Sequence, residues 1–193
     1  MTDIRDDLTD ARNTLLAAPS MSGDETVVCT DLLVPDAPEG ASVLWVSYRR
    51  DPAACLDQWT GQTGRAPREA AVVVVGEGDE TSIEGATVER VSNPSDLTGL
   101  GIVIGRFISS WEGDPVVCFD SVTATLQYVN VETAYEFLHT ITGQLYAAAA
   151  RAHFHVDPTA HDSQTVDALA SLFDAAVFLG EGEPEIRQRR TLD

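Results

Sequence analysis

Three histidines and two acids fall within ten residues, His153, His155, Asp157, His161 and Asp162, in the segment Ala152-His153-Phe154-His155-Val156-Asp157-Pro158 and just beyond it. Imidazole and carboxylate are ordinary ligands of Zn²⁺ and other divalent metals. His153 and His155 lie two apart on a stretch that reads as a strand, so they share a face, and the other three follow past its end. The same groups can instead hydrogen-bond loop backbone, pair with Arg49 or Arg50, or hold a small anion or nucleotide. His-x-His with a third histidine six residues on is a weak metal signal. We therefore read the segment as a structural polar network, assign no metal ligand, and keep Zn²⁺ as an alternative.

A second place for chemistry is Val116-Val117-Cys118-Phe119-Asp120-Ser121. A short apolar run that stops on an acid and a hydroxyl is what a buried parallel strand looks like where it emerges at its C-terminal edge. In open α/β sheets ligands bind at that edge. The third is Ala18-Pro19-Ser20-Met21-Ser22-Gly23-Asp24-Glu25, which follows the apolar run Asn13–Ala18. Ser22 and Glu25 have the spacing of a capping box, which starts a helix at Gly23 or Asp24 with Val27, Val28, Leu32 and Leu33 buried. Strand, tight turn and helix is the context of a phosphate loop.

The elements that would position these groups alternate along the chain. After an acidic lead-in over residues 1–12, with Ile4, Leu8 and Ala11 on one helical face, strands are expected at 13–18, 42–48, 70–75, 86–91, 116–120, 152–156 and 175–179. Helices are expected from Gly23, from Asp51-Pro52, from Asn93-Pro94 through Trp111, from Asn130 to about Ala150, and over 165–173. The pattern predicts one α/β domain over 13–179, a doubly wound, mostly parallel sheet with helices on both faces. Residues 180–193 are charged and expected to fray, with Arg187, Arg189 and Arg190 as a local basic patch. Trp45, Trp59, Trp111 and His139 sit in apolar patterns and read as structural.

Composition narrows the partners. With 31 acids against 12 basic residues the formal charge is −19, which repels nucleic acid and anionic membranes. All the basic residues are arginine, so lysine chemistry is excluded. An acidic, lysine-free surface is expected of a cytoplasmic protein of a salt-accumulating haloarchaeon, where high salt screens self-repulsion. Cys29, Cys55 and Cys118 are odd in number and embedded in apolar segments, and read as buried reduced thiols rather than a disulfide or zinc framework. No apolar run approaches the roughly 20 residues that span a bilayer, and the acidic N-terminus does not resemble a signal peptide.

The four apolar residues closed by Asp120 match the Walker B strand of P-loop ATPases, whose Asp helps to hold Mg²⁺. Over residues 13–179 the chain resembles the RecA/KaiC-like branch. It is similar in particular to short haloarchaeal relatives with D-S-[LV]-T-x-L-L-Q-Y and A-H-x-H-x-D-P-x-A-H-D segments, here Asp120–Tyr128 and Ala152–Asp162. The resemblance implies a RecA-like core with Asp120 and Ser121 in the Walker B position. It also shows what the chain lacks. A Walker A loop needs G-x-x-x-x-G-K-[ST], yet here only Gly23 matches, with Asp24 and Glu25 in place of the lysine and hydroxyl. Like charges about 4 Å apart repel by about 4 kcal/mol at an effective dielectric near 20, so triphosphate in that pose is disfavoured. The KaiC-type Glu pair that polarises the attacking water falls, by context, at Arg49-Arg50 in Tyr48-Arg49-Arg50-Asp51-Pro52.

The expectation is a pseudo-ATPase: a non-catalytic RecA/KaiC-like domain with a regulatory or signalling role through a protein partner, no catalytic residue and no assigned cofactor. Two alternatives remain open: a metal-dependent enzyme using the histidine segment with Asp120, and a nucleotide sensor in which Arg49 and Arg50 take over the lysine's role. A homo-oligomer is compatible with the resemblance.

Overall fold

The computed structural model describes residues 4–20, 23–79 and 81–188. Eight strands form one sheet in the order β4-β3-β2-β5-β6-β1-β7-β8. They are β1 Asn13–Ala17, β2 Ser42–Ser47, β3 Glu69–Val75, β4 Thr87–Val91, β5 Val116–Asp120, β6 Arg151–Val156, β7 Ala175–Phe178 and β8 Glu185–Gln188. All neighbouring pairs are parallel except β7 with β8. The helices are α1 Ile4–Asp7, α2 Gly23–Leu33, α3 Pro52–Thr63, α4 Leu97–Ser110, α5 Val122–Thr125, α6 Val131–Ala147 and α7 Ser163–Ala170. This is a RecA-like α/β fold, as the alternation predicts.

Because side chains alternate across a strand, each central strand feeds two cores. Leu15, Leu44, Val73, Phe119 and Phe154 pack beneath α4, α6 and α7. Leu16, Val43, Trp45, Val72 and Cys118 pack beneath α1, α2 and α3. Burial on both faces explains why these strands read as continuous apolar runs. Phe154, stacked on Phe119 at 5.2 Å and tilted against Phe173 at 5.1 Å between ring centroids, anchors the first core.

Local signals set the helix ends. The Asp51 carboxylate accepts a hydrogen bond from Ala53 N at 2.8 Å with Pro52 in the first turn, and Gly64 closes α3 at φ 72°, a left-handed conformation that suits glycine. Asn130 caps α6 through Thr133 N at 2.8 Å. α4 starts later than Asn93-Pro94 suggests, because Asp96 accepts from Gly99 N and takes the cap. The C-terminal segment departs from the frayed expectation: β8 pairs antiparallel with β7, Val177 opposite Ile186. Arg187 holds it there, paired with Glu185 and Asp167 and lying over the Phe178 ring at 4.2 Å. Arg189 and Arg190 lie outside the described residues. Ile4, Leu8 and Ala11 do pack together against the second core. No helix of the described residues is long and apolar enough to cross a membrane.

Candidate functional site

The C-terminal edges of β1, β2, β5 and β6 meet at the middle of the sheet, and the residues singled out in the sequence gather there in two groups. The first is centred on Asp120, the last residue of β5. Its carboxylate is met by Arg50 Nε at 2.8 Å. Arg50 is placed by the turn after β2, where Ser47 Oγ accepts from Arg50 N at 2.7 Å and from Arg49 N at 3.3 Å. The guanidinium also donates from Nη1 to Gln58 Oε1 at 2.8 Å, and Gln58 Nε2 donates to Thr30 Oγ1 at 2.6 Å. Burial would pull the Arg50 pKa down, but the neighbouring Cys118 and Cys29 sulfurs and Asp120 raise it, so the side chain is a fixed cation. Arg49, in contrast, is exposed. Ser121 turns back into the fold and caps α5 through Ala124 N at 3.1 Å; the Asp120–Ser121 peptide is cis.

These residues do not fit Mg-nucleotide in the pose of a P-loop ATPase. The acid that would help to hold Mg²⁺ already carries a guanidinium. At the start of α2, Asp24 is exposed and Glu25 reaches inward to His155 Nδ1 at 2.8 Å. Gly23 begins the helix, Ser20 N donates to Asp157 Oδ2 at 3.0 Å, and Ser22 lies outside the described residues.

The second group divides the histidine segment. His153 and His155 do share a face of β6, as their spacing requires, but Asp157, His161 and Asp162 do not join them. Asp157 and Asp162 cap the short turn at Pro158 and helix α7 through Thr159 N and Thr165 N, and His161 Nε2 meets Thr123 Oγ1 at 3.1 Å. Burial opposes ionisation of Asp157, yet the combined bonds from Thr159 and Ser20 outweigh it and hold the group down at about 2, and Asp162 is lowered by the Thr165 backbone. The partners of the two strand histidines are cysteines. His153 Nε2 lies 3.3 Å from Cys29 Sγ, His155 Nε2 lies 3.5 Å from Cys118 Sγ, and the two sulfurs are 4.0 Å apart. Each residue offers a ligand atom within 4.8 Å of the others, and all four residues are buried. In the sheet register Cys118 is opposite His153, while Cys29 comes down from α2.

The cluster is strongly polarised. The Cys29 thiol is lowered well below its usual range, first by its hydrogen bond with Cys118 and then, against burial, by His155 and His153. Cys118 is correspondingly raised, by the same bond and by burial. Burial depresses His153. For His155 burial acts in the same direction but is outweighed by Cys29 and Glu25, which raise it to about 10. All three cysteines are buried and free, as their apolar contexts indicate, but only Cys55 is a purely packing thiol. Its pKa is pushed up to about 12, chiefly by burial. The sequence carries one signal for the cysteines' role: Cys118 sits two residues before Asp120, on the strand expected to lie at the ligand edge.

Solved structures share this architecture. PH0250 of Pyrococcus horikoshii OT3 superposes with a TM-score of 0.62 at 10% identity, over 97% of this chain and 92% of that one. The flagellar accessory protein FlaH of Methanocaldococcus jannaschii superposes with a TM-score of 0.54 at 14% identity, over 91% of this chain and 75% of that one. At such identities the likeness is one of fold, RecA/KaiC-like. No curated protein matches the sequence. Residues 11–179, which contain both groups described above, match the model of DUF7504, and the chain thus belongs to that family of unknown function.

Proposed function

We propose that this protein is a RecA/KaiC-like domain that does not hydrolyse ATP and acts by binding another polypeptide, in a regulatory or signalling role. The observation that carries the first half is the 2.8 Å ion pair between Arg50 and Asp120. Phosphoryl transfer is almost entirely charge stabilisation and positioning of the nucleophile. Here the metal-binding acid is neutralised from within, the chain has no lysine, and arginines stand where the resemblance places the catalytic Glu pair. The nucleotide-sensor reading would need Arg50 free to reach phosphate, and its guanidinium is instead shared between Asp120 and Gln58.

A surface groove supports binding as that role. The groove between α4 and α6, about 910 Å³, is lined by Leu97, Ile102, Ile108, Phe137 and Ile141, with Glu136 beside them. Ile102 is 68% exposed there, a large apolar side chain open to solvent on a protein of formal charge −19. These features favour an amphipathic helix whose apolar face is flanked by basic residues.

Calorimetric titration with Mg-ATP, Mg-ADP and Mg-GTP in molar KCl, alongside a phosphate-release assay, tests the reading. No heat and no release are expected. Micromolar binding, about −8 kcal/mol, without turnover would favour the sensor instead, and turnover abolished by Asp120→Asn would overturn the proposal. For the partner, a photo-crosslinker at Ile102 should capture a protein with a basic amphipathic helix, and Phe137→Asp should abolish the capture. Capture that persists in that variant would remove the groove from the proposal.

A further inference from the structure

We propose that Cys29, Cys118, His153 and His155 form a closed tetrahedral site for a thiophilic divalent cation, Zn²⁺ foremost, which ties helix α2 to the centre of the sheet. Two thiols and two imidazoles are a ligand set of structural zinc. With Zn–S near 2.3 Å and Zn–N near 2.0–2.1 Å, the edges of a regular tetrahedron are about 3.8 Å between sulfurs and about 3.6 Å between sulfur and nitrogen. The observed edges are 4.0 Å for Cys29–Cys118, 3.3 Å for His153–Cys29 and 3.5 Å for His155–Cys118. Contraction or expansion by a few tenths of an ångström would seat the ion.

Three further features point the same way. Both histidines present Nε2 to the sulfurs, and His155 Nδ1 is bound to Glu25 Oε1 at 2.8 Å, the carboxylate–histidine arrangement that orients a metal-binding imidazole. Gln58 Nε2 lies 3.9 Å from Cys29 Sγ, a donor toward a metal-bound thiolate, and the same glutamine is fixed by Arg50. His153 borders a cavity of about 20 Å³ lined also by Leu8, Ala11, Thr14 and Asp31, room for one water. Two thiolates neutralise the dication, so the buried centre carries no net charge while its four polar atoms all find a partner. All four coordination positions are taken by protein and all four residues are at most 2% exposed, so the ion is structural rather than catalytic. Its place is telling: α2 is the helix whose N-terminus a P-loop protein gives to phosphate, and here a cation would hold that helix to β5 and β6.

The test uses the full chain, produced without a polyhistidine tag and kept reduced in molar KCl. Elemental analysis should find one zinc per chain. After removal of metal with a chelator, one equivalent of Co²⁺ should produce the intense visible absorption of tetrahedral cobalt together with thiolate-to-cobalt charge transfer, and one equivalent of Zn²⁺ should bleach both. The double variant Cys29→Ser/Cys118→Ser should lose the charge-transfer band. Because that variant is buried and could fail to fold, Glu25→Gln provides a second reading: it keeps the four ligands, so the cobalt spectrum should persist while affinity falls by roughly 10–100-fold. A weak octahedral spectrum without charge transfer would overturn the proposal, as would protein that is purified free of divalent metal and takes up no Co²⁺. Unchanged affinity in Glu25→Gln would overturn Glu25's part in it. None of these readouts depends on nucleotide, so this inference and the non-hydrolytic reading fail separately.

Discussion

Against α4 and α6 the sheet presents Leu44, Val73, Phe119 and Phe154; against α2 and α3 the same strands present Trp45, Cys118, His153 and His155. The first face is mainly hydrocarbon, its buried polar side chains Asn13 and Ser42 lying at the starts of β1 and β2. The second holds two imidazoles, three thiols and an edge-to-face tryptophan pair, Trp45 and Trp59, whose indole N–H groups have no hydrogen-bond partner among the described residues. Buried polar groups cost free energy unless satisfied, whereas aliphatic packing stabilises without such conditions. The difference teaches that both faces are packed by apolar side chains, and that the side beneath α2 buries sulfur and imidazole among them as well.

Phe154→Ala should break the comparison most sharply. It removes a ring packed between Phe119 and Phe173 and should cost about 3–5 kcal/mol in denaturant unfolding, while Co²⁺ stoichiometry in the remaining folded protein stays the same. An equal loss from Cys118→Ala in metal-free protein would show that the two faces contribute alike. Arg50→Ala should cost about 1–3 kcal/mol, because Asp120 is then left partly buried without its cation, and Asp120→Asn in the same background should recover part of the loss.

The thiols sharpen the contrast by pH. Cys55 has a folded pKa of about 12 against an ordinary value of 9.0. A group raised in this way contributes stability that is fully present below 9.0 and is lost as pH rises toward about 12. Stability should therefore fall in that window with a slope of up to about 1.4 kcal/mol per pH unit from this group, and Cys55→Ala should flatten it. A slope that Cys55→Ala leaves unchanged would assign the alkaline loss to another group. The smallest effect concerns neither face: Asn130→Ala removes the cap of α6 and should cost about 1 kcal/mol, measurable as a shift in denaturation midpoint with no change in metal binding.

Much of the fold was legible because its signals are local. Apolar runs, the Asp51-Pro52 start of α3 and Asn130 at the start of α6 depend on a few neighbouring residues, and they placed the central strands and most helices. β8 was not legible, since Glu185–Gln188 has no apolar alternation and owes its place to pairing with β7 and to Arg187 over Phe178. At the site, His153 and His155 could be paired from their spacing, and Asp120 could be placed at the strand edge. Asp157, His161 and Asp162 looked like further members only because they are near in sequence. Past the strand end the backbone turns, and the acids there serve its free N–H groups.

The sequence by itself determined the RecA-like alternation, the absence of lysine and the mismatch with the Walker A pattern, because residue identity alone decides whether a lysine ammonium exists. Only the tertiary structure decided which groups meet. Cys29 is 89 residues from Cys118 and 124 from His153, yet the sheet order sets β5 beside β6 and the crossover lays α2 across both. No periodicity along the chain records a contact made through the crossing of a helix over two strands.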